Sequence, residues 1–196
     1  MMFLVLFLIF AAVAAALWFQ GLWSCAITLV NLFLAMMIAS NYWEPATDLL
    51  QGAGLSSYSY LLDFLELWIL FAVAFGILRA VTDSISRTRV KFDMPVEMAG
   101  RSLLALWCAW LVVCFAAFSL QMAPLNSESP LGAWSTPSSP TFLFTSPDRL
   151  WLGFMHSRSK GALSGSGTFD PNAEFALKYR ERRSAYAKAP EMRVSQ

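Results

Sequence analysis

From Met1 to Trp43 the chain carries no Asp, Glu, Lys, Arg or His. As one helix, the apolar run from Met1 to Ser40 would be about 60 Å long, twice the ~30 Å thickness of a bilayer's hydrocarbon core. One straight span cannot use it. Divided at Gln20-Gly21 the run gives two segments, 1–19 and 22–40, each close to the ~20 residues that a span requires. Trp18 and Phe19 precede the glycine, Trp23 follows it, and Tyr42 and Trp43 close the second segment, as expected for rings placed at headgroup depth. A signal peptide is the competing reading, because Ala12-Val13-Ala14 mimics a small-x-small cleavage site. The basic leader is missing, however, and the sequence downstream stays apolar.

Polar punctuation then returns. Residues 41–60 hold Pro45, Gly52, Gly54, Glu44 and Asp48 and predict a loop, with one short helical turn over 45–51. Apolar windows predict a third span over 61–81 and a fourth over 102–123, the latter ending just before Pro124. The Ser/Pro-rich stretch 124–147 reads as an extended linker. Beyond it, Ser146-Pro147 resembles an N-cap with proline at the first helical position, starting a short helix on which Leu150, Trp151, Phe154 and Met155 share a face. That piece is too short to span, and fits either flat on the bilayer or docked on the helices. After a Gly/Ser-rich break, Asp170-Pro171 predicts the start of a last helix reaching Lys188, with Phe175, Tyr179, Arg182 and Tyr186 in one stripe. The expected fold is therefore all-α: a polytopic membrane domain over 1–123, with four transmembrane helices in two hairpins, then a linker, then an amphipathic segment and a basic C-terminal helix over 148–196.

Composition agrees, at 57% hydrophobic and 14% charged, with a mean hydropathy of +0.53. The net charge of +1 gives no electrostatic case for nucleic acid. How the charges are distributed says more. No basic residue precedes Arg79, and Arg79, Arg87, Arg89, Lys91 and Arg101 cluster around the third-to-fourth connection. The positive-inside rule then puts 82–101 and the 20–21 turn in the cytoplasm, with the N-terminus, the acidic second loop and the C-terminal tail outside. The tail itself carries the remaining nine basic residues.

Candidate chemistry is sparse. Asp63 and Glu66 are spaced i, i+3 near the start of the third span. They read as carboxylates favoured at a helix N-terminus near water, or as a weak proton or ion site at an outer mouth. Asn31, with Thr28 on the same face, calls for an interhelical hydrogen bond. Ala72, Gly76 and Ala80, and again Ala105 and Ala109, repeat at four-residue spacing and predict close helix packing. Cys25, Cys108 and Cys114 lie in apolar runs without metal-ligand spacing, and the single histidine, His156, lies in the tail. Ser164-Gly165-Ser166-Gly167 lacks the Lys-Ser/Thr ending of a phosphate loop. These residues predict no catalytic centre, metal or cofactor. The expected partners are the lipid bilayer and other membrane proteins or a second copy of the chain, with the basic tail helix resting on its own bundle or engaging anionic lipid or a partner.

The order of parts resembles the colicin V production (CvpA) family of small bacterial inner-membrane proteins. The likeness lies in a short first span, a turn at Gly21, the close Ala39-Ser40-Asn41-Tyr42, a third span with internal Gly76, and a fourth entered through Gly100. It extends weakly to Pro147-Asp148-Arg149-Leu150-Trp151, covering residues 1–157. The chain departs from the family pattern at Gln20, where members carry Arg, and over Val96-Glu97-Met98-Ala99-Gly100 and Trp107-Cys108-Ala109, where they carry charged signatures. The resemblance implies a non-enzymatic accessory or scaffold in toxin production or export and envelope homeostasis. Read from the residues alone, the alternative is a small transporter or channel subunit that uses Asp63 and Glu66 at its outer mouth.

Overall fold

A computed structural model of the chain describes residues 2–50, 59–86, 90, 92–123, 142–160, 169–172 and 174–188. Most of the Ser/Pro-rich linker, the Gly/Ser break, the basic residues Arg87, Arg89 and Lys91, and the Tyr186 side chain lie outside the described residues. The described residues form six helices in order: α1 (Met2–Trp18), α2 (Leu22–Leu50), α3 (Ser59–Ile85), α4 (Met94–Met122), α5 (Pro147–Ser159) and α6 (Phe175–Lys188). Among the described residues the only other pairing is an isolated bridge between Phe142 and Thr145. Among the described residues three stretches, Leu22–Thr47, Asp63–Ile85 and Met94–Met122, are long and apolar enough to cross a membrane. The chain is a membrane protein by that measure. At 17 residues, α1 is shorter.

The turn at 20–21 forms where the sequence predicts it. The Gln20 amide donates to the Leu17 carbonyl at 3.0 Å, and Gly21 takes a φ of +82°, a left-handed conformation that side chains resist. The first free amide of α2, at Leu22, donates to Glu97 Oε1 of α4 at 3.2 Å. A distant side chain therefore caps α2.

Three helices run further than expected. α2 does not stop at residue 40 but continues through Pro45 to Leu50. Proline removes one backbone donor, yet Trp43 and Thr47, one turn apart, are both buried. Their packing keeps the turn helical, aided by Thr47 Oγ1 donating to the Trp43 carbonyl at 2.8 Å. α3 extends to Ile85, and α4 begins at Met94 with Pro95 in its first turn, so much of the expected 82–101 loop is helix.

α1 lies chiefly on α4, α2 on α3, and α4 also contacts α2 and α5. The core follows α4, whose buried positions include Ala105, Cys108, Ala109, Val113, Phe115 and Phe118. Over half of α4's most apolar stretch is buried (56%), against 6% for α3. The outward face of α3 carries Leu65, Ile69, Val73 and Ile77, as suits a helix bathed in lipid.

Two packing expectations separate here. Ala105 and Ala109 are buried as predicted. Ala72, Gly76 and Ala80 are exposed instead, and no atom lies within 4 Å of where a Cβ on Gly76 would fall. Their four-residue spacing puts them on one stripe of α3, and that stripe is exposed. Gly100 does pack closely, since a Cβ there would fall 2.7 Å from Leu22 Cδ1. The three cysteines are buried and free.

α5 is docked on the helices. Trp151 and Met155 enter the core while Leu150 is exposed, so the buried face is rotated from the expected one. Trp151 Nε1 donates to Ser40 Oγ at 3.0 Å, and Gln121 Nε2 donates to Asp148 Oδ2 at 2.5 Å. Before α5, Phe142 is buried against α1 and α4, its ring 5.3 Å from Phe3 and 5.9 Å from Trp110.

Candidate functional site

α6 begins later than Asp170-Pro171 suggests. Asp170 adopts a φ of +45°, and its Oδ1 accepts from the amides of Glu174 at 2.8 Å and Phe175 at 3.2 Å. The capping role holds, but the helix starts at Phe175. Phe175, Tyr179 and Arg182 then fall on one face at i, i+4, i+7. The Phe175 ring stacks 5.1 Å from Phe118 of α4 and 4.8 Å from Tyr179, and Trp43 of α2 stands edge-on to it at 6.5 Å. These aromatics seat α6 against the ends of α2 and α4.

The same face brings two donors to one oxygen of Asp63. Tyr179 Oη donates to Asp63 Oδ2 at 3.1 Å, and Arg182 Nη1 donates to it at 2.5 Å. Asp63 is buried at 4% exposure, a placement that a carboxylate sustains only when paired. Burial, followed by the Asp63 charge and its hydrogen bond, pushes the Tyr179 hydroxyl well above its usual range, so it remains a donor. The Arg182 guanidinium also lies 5.9 Å from the centre of the Tyr179 ring.

Around this lock is a cavity of about 330 Å³ lined by Trp43, Glu44, Thr47, Asp63, Lys178, Tyr179 and Arg182. Lys178 Nζ is 3.9 Å from Glu44 Oε1, with both side chains largely in solvent. Glu66, three residues from Asp63, does not line it. Asp63 faces α6 and lines the cavity, while Glu66 is half-buried outside its lining. Among the described residues no group of three or more His, Cys, Asp or Glu could hold a metal ion.

At the opposite end, a polar ladder joins α2 to α3. Arg79 Nη1 donates to Thr28 Oγ1 at 2.7 Å, Nη2 to Ser24 Oγ at 3.1 Å and Nε to Asp83 Oδ2 at 3.0 Å. Asn31 Nδ2 donates to Thr82 Oγ1 at 2.8 Å, the interhelical bond predicted for it. Sequence reasoning counted Arg79 only as a charge marking a membrane side. The signal for its partner role was the spacing of Ser24, Thr28 and Asn31 along one face of α2.

Asp148 was also missed. It is almost fully buried, at 1% exposure, and among the described residues its Oδ1 has no hydrogen-bond partner. Burial raises its carboxyl above the ordinary range, opposed by hydrogen bonding from the backbone at 149 and 148 and from Gln121. Compared with protein-family models, curated proteins and solved structures, the chain matches none.

Proposed function

We propose that this chain is a four-span bacterial inner-membrane protein that acts as a non-enzymatic accessory or scaffold of the CvpA kind, in toxin production or export and envelope upkeep. The observation that carries the scaffold reading is the Asp63–Arg182–Tyr179 lock. It fixes a helix outside the bundle to the end of a membrane helix, while Arg180 and Glu181 remain exposed on α6 for a partner. α1 supplies the fourth span: its 17 residues reach about 26 Å, and Phe19 lengthens the apolar stretch. The 20–21 turn and the 82–101 region face the cytoplasm in this reading, and the tail faces outward.

The deciding experiment is complementation. In a bacterium that makes colicin V but lacks its own CvpA-family protein, this chain is expected to restore secreted toxin, and Arg182→Met to restore less. Failure of the intact, membrane-inserted chain to restore any secretion rejects the toxin role. The second reading, a transporter or channel subunit, is favoured by a charged cavity beside Asp63. Ion or proton flux through reconstituted vesicles, abolished by Asp63→Asn with Glu66→Gln, would establish that reading in place of the scaffold.

A further inference from the structure

The cavity beside α6 is lined by two carboxylates, Glu44 and Asp63, and two cations, Lys178 and Arg182. A lining of such balanced charge suits neither a simple anion nor a simple cation. Asp63 and Arg182 are committed to each other at 2.5 Å and form a neutral wall. Glu44 and Lys178 differ. Their 3.9 Å separation is at the outer limit of an ion pair, and both side chains are more than half exposed, a geometry that contributes little by itself. A ligand bearing both charges, joined by a short linker, could gain a charge-assisted contact at each group. The cavity volume of about 330 Å³ is within the range of small-ligand sites.

Location narrows the chemistry. The cavity opens at the ends of α2 and α3, beside Trp43 and next in sequence to the exposed ring of Tyr42, residues of the kind that rest at headgroup level. The geometry points to a binding site for the phosphoethanolamine headgroup of a bilayer lipid, with the phosphate at Lys178 and the ammonium at Glu44. This assignment requires only that α2 and α3 end at a bilayer surface, and is independent of any role in toxin export.

The test uses the full chain purified in detergent and native mass spectrometry of bound lipid. Phosphatidylethanolamine is expected to bind about tenfold more tightly than phosphatidylglycerol, as one extra charge-assisted contact would give. Lys178→Gln should weaken both lipids. Glu44→Gln should abolish or invert the preference, because it removes the ammonium's partner and leaves the site net positive, a change that a purely structural role would not produce. Both substitutions are at exposed side chains and should leave folding intact. An unchanged preference in Glu44→Gln, or no saturable phosphatidylethanolamine binding, overturns the site. Soluble glycerophosphoethanolamine should compete only weakly; if it displaces the lipid at equal concentration, the lipid assignment falls and a soluble phosphoethanolamine ester takes its place.

Discussion

Gly21 and Gly76 have the same side chain and opposite reasons for having none. At Gly21 the backbone is left-handed with φ +82°, and a Cβ would approach Glu97 Oε1 at 3.1 Å. Gly21→Ala should therefore destabilise the protein by about 1 kcal/mol or more. At Gly76 the helix is regular and the space around it open. Gly76→Ala should be neutral or stabilising by up to about 1 kcal/mol, from helix propensity alone. Thermal unfolding of the two variants in one detergent compares them directly; equal destabilisation would contradict the open environment of Gly76. Asp148 offers a pH-dependent test. Its raised pKa means the folded protein keeps that proton to higher pH than the unfolded chain does. Ionisation at neutral pH therefore opposes folding, and the opposition fades as pH falls through the raised pKa, vanishing below the ordinary carboxylate value of about 3.9. Relative to Asp148→Asn, the wild-type melting temperature should rise between about pH 7 and about pH 4. A constant difference across that range would show that Asp148 does not titrate in this way.

Among the elements, α6 is the one whose placement depends most on a single ion pair. Arg182 keeps 28% of its side chain exposed while Asp63 keeps 6%. Removing the arginine leaves a buried charge with the Tyr179 hydroxyl as its remaining described donor. Arg182→Met should then weaken α6 docking by about 1–3 kcal/mol, below the range for a fully buried pair because water reaches the guanidinium. Limited proteolysis between α5 and α6 should accelerate by about 5- to 150-fold. Asp63→Asn in the same background should recover part of the loss, a coupling that a double-mutant cycle measures. Strict additivity would mean that the aromatic contacts of Phe175 and Tyr179 hold α6 without help from the pair. α5 gives a parallel case: Trp151→Phe keeps an aromatic ring but loses half of the buried indole and the bond to Ser40, and should weaken its docking by about 1–3 kcal/mol, seen as faster amide exchange in α5.

At the scale of the molecule, the long helices were legible from hydrophobic runs, the last two from their Ser-Pro and Asp-Pro starts, and the turn at Gly21 from length together with the glycine and its flanking aromatics. The ends were not. Pro45 and the acids around it look like a loop until Trp43 and Thr47 are buried beneath α6, a contact across more than a hundred residues that no local pattern encodes. The spacing of Ala72, Gly76 and Ala80 showed a face without showing what it meets. The stripe of Phe175, Tyr179 and Arg182 was readable, and so was Asp63, but not that one would close on the other. Pairing depends on which helix ends share a side, and that emerges only once α2, α3 and α4 are assembled.

That dependence has a consequence for the order of assembly. The first amide of α2 is capped by Glu97, 75 residues further along the chain. During synthesis α1, α2 and α3 are all made before Glu97, so until α4 arrives the Leu22 amide must rely on water or lipid headgroups. The early helices are then a provisional arrangement, and the fourth finishes the first turn of the second.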